Sequence, residues 1–126
     1  MNETISASLT HGHTIDITTT GRRTGLPRRI EIVFHNMDGR LIITGTPRSD
    51  HTRAWILNLE ADPNLTFHLK GNVNADLPAS ARVITDPTER RAIADWVVAH
   101  AWRNQDVEAM TAWAPMIEVT LLDLAA

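Results

Sequence analysis

At 126 residues, 43% of them hydrophobic, the chain suits one domain with a real core and is too short for two ordinary ones. A formal charge of −3 and a pI near 6.0 exclude a general nucleic-acid binder, which would be basic across the whole domain. The absence of cysteine excludes a disulfide framework, a thiolate nucleophile and a Cys-held metal, and the absence of tyrosine leaves four tryptophans as the main large π surfaces.

Residues 1–12 are polar and small without periodicity, and are expected as a flexible tail ahead of a single domain over residues 13–126. They show neither a basic n-region nor an apolar h-region. No apolar run approaches the ~18 residues that span a bilayer, so the expectation is a cytoplasmic protein without a membrane span. His13 to Thr20 alternates around Ile15 and Ile17 and reads as the first strand. A glycine and arginine turn follows, and then Arg29 to His35 alternates Ile30, Ile32 and Phe34 against Glu31, Val33 and His35. Asp38-Gly39 favours a type I′ hairpin, from which Arg40 to Thr46 returns as the partner strand. After a loop, Arg53 to Ala61 reads as a short helix capped by Asp50 or Thr52 and stopped at Asp62-Pro63. Asn64 to Lys70 is a strand with Leu65, Phe67 and Leu69 on one face. Val73 to Leu77 and Ala79 to Thr85 read as two weaker strands separated by Pro78. Asp86-Pro87 opens a helix from Thr88 to about Arg103, with Ile93, Trp96, Val97, His100 and Ala101 on one face. A second helix covers about Asp106 to Trp113, and Met116 to Leu122 closes the chain as a strand.

The stretch Thr18 to Arg29 holds four of the eleven arginines around two glycines. Gly21 and Gly25 can take positive φ, so the backbone between them is expected to aim successive N–H groups at one point as an anion nest. Arg22, Arg23 and Arg28 add guanidinium forks that match phosphate or carboxylate, and Thr24 adds a hydroxyl. The plain alternative is a hairpin loop whose arginines are only solvated. A P-loop is excluded, because no GxxxxGK[ST] occurs.

The element order predicts mainly antiparallel β structure with helices packed outside, not a βαβ alternation. With these elements placed, TTTGRRTGLPRRIEIVF, the DGRLIITG hairpin and AWILNLEADPNLTFHL together resemble the deazaflavin-dependent nitroreductase family of the split β-barrel flavin and deazaflavin oxidoreductases. The resemblance implies an α+β split β-barrel, often a homodimer, that binds coenzyme F-420 or, in related branches, FMN. It implies that Gly21, Arg22, Arg23, Thr24, Gly25 and Arg28 grip the cofactor's phosphate. It further implies that Thr44, Gly45 and Thr46, with the loop through His51 and Thr52 to Trp55, lie along the ring. Family members commonly carry a Lys-His-Pro-like run before the tryptophan, where this chain has His51, Thr52 and Arg53, and an aromatic after it, where this chain has Ile56.

The function so implied is hydride transfer between reduced F-420 and a small electron-poor molecule: a quinone, a nitro compound or an activated alkene. A deazaflavin carries that chemistry itself, so the missing cysteine and tyrosine are no obstacle. The other class is a non-catalytic barrel binding FMN, haem or a lipid-like ligand. No metal is expected: His11 and His13 share a face only if the first strand extends back to them, and they lack a third ligand. His51 is a candidate proton or hydrogen-bond donor. His68 and His100 are read as packing residues, Glu31 as solvent-facing or arginine-paired, Trp96, Trp102 and Trp113 as core or interface, and Arg90 and Arg91 as exposed helix surface.

Overall fold

In the computed structural model, which describes residues 2–50 and 52–122, each strand pairs antiparallel with two neighbours, and the ring closes in the order β1 (Thr14–Thr20), β2 (Pro27–Met37), β3 (Arg40–Thr44), β6 (Met116–Leu121), β5 (Ala75–Val83), β4 (Asn64–Leu69). β2 is long enough to serve two partners. Its first half pairs with β1, from Thr20↔Pro27 to Thr14↔Val33, and its second half with β3, from Val33↔Thr44 to Met37↔Arg40. This is the barrel that the resemblance implies. The period-two pattern decides which side chains enter it: Ile15, Ile17, Phe34, Ile43, Phe67 and Ile117 are fully buried, with Phe34 edge-on to Phe67 at 5.4 Å. Each such side chain contributes about 1.5–3 kcal/mol on burial.

A second apolar cluster lies outside the barrel. Ile42 of β3 and Met116 of β6 meet Ile93, Ala94 and Val97 of α3 (Pro87–His100) and Met110 of α4 (Val107–Trp113). Asp86 caps α3 by accepting from the Glu89 amide, with Pro87 in the first turn, and Asp106 caps α4 from the Ala109 amide. The β2–β3 turn has φ of 53° at Asp38 and 91° at Gly39, the pair of positive values that a type I′ turn requires. Between α3 and the sheet, Arg40 donates to Glu118 and Glu89 at 3.0 and 2.9 Å, and Arg82 donates to Glu89 and Glu118 at 2.7 and 2.6 Å.

Several local expectations need correction. Residues 3–8 form a helix, α1 (Glu3–Ser8), where an irregular tail was expected; Asn2 accepts from the Ile5 amide at 2.8 Å, and Leu9 is buried against the barrel core. Ile5 and Leu9 stand four apart on the same helical face, a spacing too short to register as periodicity. Residues 75–83 form one strand, not two split at Pro78. The Pro78 carbonyl accepts from the Leu122 amide, so its missing N–H lies on the side where β6 ends and removes no bond to β4. α2 (Ala54–Ala61) has Arg53 at its cap with no side-chain cap bond, in place of Asp50 or Thr52. His100 and Ala101 are exposed, and Ala94 takes their place on the buried face of α3.

Candidate functional site

The β1–β2 turn closes on itself. The Gly21 amide donates to the Leu26 carbonyl and the Gly25 amide to the Gly21 carbonyl, both at 2.8 Å, and the Leu26 amide donates to Thr24 Oγ1 at 3.2 Å. Gly25 has the expected positive φ of 72°, but Gly21 does not. Gly21 is needed for a different reason: a Cβ there would stand 2.9 Å from Thr24 Oγ1 and 3.2 Å from the Leu26 carbonyl oxygen. Three of the turn's amides, those of Gly21, Gly25 and Leu26, hold its shape and that of Arg22 meets Asn58, while among the described residues those of Arg23 and Thr24 engage no partner and stand beside the arginine side chains.

Those side chains stand out by what they do not touch. Among the described residues, no ion pair or side-chain hydrogen bond engages Arg22, Arg23 or Arg28. Arg103, between α3 and α4, is the other arginine in that position. By contrast Arg29 pairs with Asp16, Arg48 with Asp50, Arg91 with Asp95, and Arg40 and Arg82 with two glutamates. Burying positive charge against an internal carboxylate satisfies it; clustering it without one favours an external anion.

A cavity of about 340 Å³ opens beside the turn, lined by Gly21, Arg22, Arg23, Thr24 and Arg28, with Trp55 and Asn58 of α2 on its far side. Trp55 is mainly a core residue, only 7% exposed, with part of its ring on the cavity wall. Asn58 is a polar residue within the helix expected over Arg53 to Ala61. The structure buries it and employs both ends of its amide: Nδ2 donates to Thr19 Oγ1 and Oδ1 accepts from the Arg22 amide, each at 3.1 Å. An amide on the buried face of a short apolar helix was the available signal.

The second expected segment divides. Thr44 is fully buried and its hydroxyl donates to the Pro115 carbonyl at 2.6 Å, so that side chain joins β3 to the α4–β6 connection. Gly45 packs so near Pro115 that a Cβ would stand 3.0 Å from its ring. The Thr46 carbonyl accepts from Arg53 at 2.6 Å. Thr52 lines a different cavity, of about 510 Å³, on the opposite side of α2, together with Arg53, Ile56, Arg90 and Trp113. At 100° per residue, α2 turns Trp55 and Asn58 to one cavity and Arg53, Ile56 and Glu60 to the other. His51 lies outside the described residues.

Of the residues of this second cavity, Arg90 departs from expectation, and Trp113 departs only from the core half of its core-or-interface reading. Arg90 is not free helix surface: its guanidinium donates to the carbonyls of Thr111, Ile84 and Ala114 at 2.8, 3.1 and 2.6 Å, tying α3 to the end of α4, and burial lowers its pKa. Trp113 is 53% exposed and belongs to no core cluster. Burial also lowers the pKa of Arg53, with nearby Arg48 adding to the effect.

Elsewhere His68 has the packing role read from the sequence. Its Nε2 meets Thr18 Oγ1 and its Nδ1 meets Asp76, both at 2.7 Å. His13 places Nε2 against the Ser8 carbonyl and Nδ1 against the Thr14 carbonyl. Glu31 pairs with Lys70, not with an arginine. His35 is 3% exposed, edge-on to Trp102 at 5.1 Å, with no partner for Nε2 among the described residues; burial pushes its pKa down to about 4.

The fold recurs in solved structures. One described as an F420 reductase matches with a TM-score of 0.72 at 17% identity, covering 98% of this chain and 97% of its own. A conserved hypothetical protein from Mycobacterium tuberculosis matches with a TM-score of 0.73 at 16% identity, covering 98% and 82%. A third, described as a domain-swapped dimer, matches with a TM-score of 0.62 at 17% identity, covering 85% and 79%. At these identities the likeness is one of fold, the split β-barrel. No helix among the described residues is long and apolar enough to cross a membrane. The sequence pattern of the F420H(2)-dependent quinone reductases matches residues 1–123. The chain belongs to the F420H(2)-dependent quinone reductase family and is an oxidoreductase that uses coenzyme F-420.

Proposed function

We propose that the phosphate of coenzyme F-420 binds in the cavity beside the β1–β2 turn and that its ring lies along Gly45, Thr46 and the segment leading to Trp55. The acceptor, a quinone, nitro compound or activated alkene, then enters the cavity between α2 and α4. The observation that carries this reading is the convergence of Arg22, Arg23 and Arg28 on one cavity without an internal carboxylate among the described residues. The fit to a phosphate-bearing group is chemical as well as steric: planar guanidinium forks match phosphate oxygens, and the close packing at Gly21 sets the wall they stand on.

When bound, F-420 supplies the hydride chemistry, so the chain's own residues bind, orient and polarise. Arg53, held against Thr46 and lining the acceptor cavity, places positive charge where reduction puts negative charge on an acceptor oxygen. Trp113 offers a flat apolar wall to an aromatic acceptor. Arg90 fixes the α4 end that carries Trp113 through its three carbonyl bonds. His51 is kept as a candidate hydrogen-bond or proton donor to the acceptor. We also assign the protein to the cytoplasm and to a homodimer; a sharp 14.0 kDa species in sedimentation at micromolar concentration contradicts the dimer alone.

The test is turnover. Purified protein mixed with reduced F-420 and a quinone should oxidise the cofactor, and reduced FMN in its place should be a poorer donor. With an activated alkene, deuterium on the transferring carbon of the cofactor should appear in the product. Tight F-420 binding without turnover on any of the three acceptor classes would overturn the acceptor assignment.

A further inference from the structure

Residues 21–26 close on themselves through three hydrogen bonds and join the paired strand ends Thr20 and Pro27. Among the described residues, one hydrogen bond runs from this turn to another element: the Arg22 amide to Asn58 Oδ1. The orientation of the Asn58 amide is unambiguous, because a backbone N–H can only donate; the oxygen must face Arg22, and the nitrogen then faces the Thr19 hydroxyl. Asn58 sits in the middle of α2, is 5% exposed, and stands on the wall of the same cavity as the three arginines. It thus spans the last part of β1, the first residue after Gly21, and the helix whose other side lines the acceptor cavity.

We propose that Asn58 is a positioning residue: it sets the arginine turn against α2, so that the anion-binding side chains and Trp55 keep one fixed separation. This rests on the assignment of the turn as the phosphate site. A buried amide with both ends engaged is costly to mispair, so the turn is held in one place and not in a family of tilts. With Asn58 removed, Arg22 and Arg23 retain their charge but lose their fixed aim relative to Arg28, which stays on β2 opposite Thr19. Affinity for the phosphate-bearing ligand falls, while the chemistry at the ring is untouched once the site is filled.

The experiment measures binding by fluorescence for two ligands, F-420 and the same deazaflavin without its phosphate arm, against Asn58→Ala, Thr19→Val and Arg23→Ala. Asn58→Ala should raise the Kd for F-420 about tenfold, leave that of the phosphate-free ligand within twofold, and leave kcat at saturating F-420 within twofold. Thr19→Val, which keeps the size of the side chain but removes one anchor of the amide, should raise it about threefold, and Thr19→Ser should restore it. An equal loss for both ligands, or no loss for F-420, overturns the positioning role. If Asn58→Ala does not fold, Thr19→Val and Thr19→Ser decide alone, and equal affinities for F-420 in those two variants overturn it. If Arg23→Ala has no effect on F-420, the phosphate assignment itself fails, whatever Asn58 does.

Discussion

Two groups of arginines on this small barrel show opposite uses of the same side chain. Arg40 and Arg82 stand between β3, β5, β6 and α3, each hydrogen-bonded to both Glu89 and Glu118, so their charge is balanced within the chain. Arg22, Arg23 and Arg28 stand at the β1–β2 turn around a cavity, with no carboxylate against them among the described residues. The first group joins a helix to a sheet. The second is a concentration of positive charge without an internal counter-charge among the described residues, and on the proposed reading the difference separates residues that serve the fold from residues that serve the ligand.

The largest expected effect breaks that contrast from the ligand side. Charge-assisted hydrogen bonds contribute about 1.5–3 kcal/mol each, so Arg23→Ala and Arg28→Ala should each weaken F-420 binding roughly tenfold or more, and the pair roughly a hundredfold. Melting of the ligand-free protein should change by no more than about 0.5 kcal/mol, as for other surface substitutions. On the fold side, Glu89→Ala removes the partner of two arginines and should cost about 1–2 kcal/mol in denaturant unfolding while leaving F-420 affinity unchanged.

Acid should show the same division. Hydrogen bonds from Arg82 and then Arg40 hold the Glu89 carboxyl down to about 2, and Arg40 and Arg82 lower Glu118 as well. A carboxylate whose folded pKa is depressed contributes stability above its unfolded value of 4.5 and loses it as pH falls toward about 2. Glu89→Gln should therefore flatten the unfolding curve over that window. His35 acts at higher pH. Its folded pKa of about 4 lies below its ordinary 6.5, so between these values the unfolded chain binds more protons and stability declines as pH falls. His35→Phe should remove that slope and leave the Glu89 window intact. The smallest effect belongs to Gly25→Ala. With φ of 72° and no atom near the added Cβ, it costs about 1 kcal/mol of backbone strain, and the turn keeps its aim.

Sequence pattern made the barrel legible wherever burial alternates, as at Ile15, Ile17 and Phe67, and wherever a cap or turn has its own chemistry, as at Asp86 and Asp38-Gly39. It failed where a tertiary neighbour decides. Pro78 looks like a strand break until β6 is seen to end beside it. Arg90 looks like helix surface until three carbonyls from distant loops converge on it. The turn was legible as an anion candidate from residue type, but not its construction: Gly21 is required by the nearness of Thr24, and Asn58 supplies the tether from another element. Thr44 matched the ring-facing segment by motif, yet its hydroxyl faces Pro115, since a strand residue's direction follows from register and not from motif position. α2 places Trp55 and Ile56 toward separate cavities, a division that helical geometry imposes once the cavities are known.

On the proposed reading, Arg22, Arg23 and Arg28 hold the cofactor's phosphate. This is tested most directly by titrating the Arg23→Ala/Arg28→Ala protein with F-420 and with the same deazaflavin lacking its phosphate arm, following fluorescence. The wild-type preference for F-420 over the phosphate-free ligand should collapse in the variant, with affinity for the phosphate-free ligand nearly unchanged. A variant that keeps the wild-type preference would contradict the phosphate assignment.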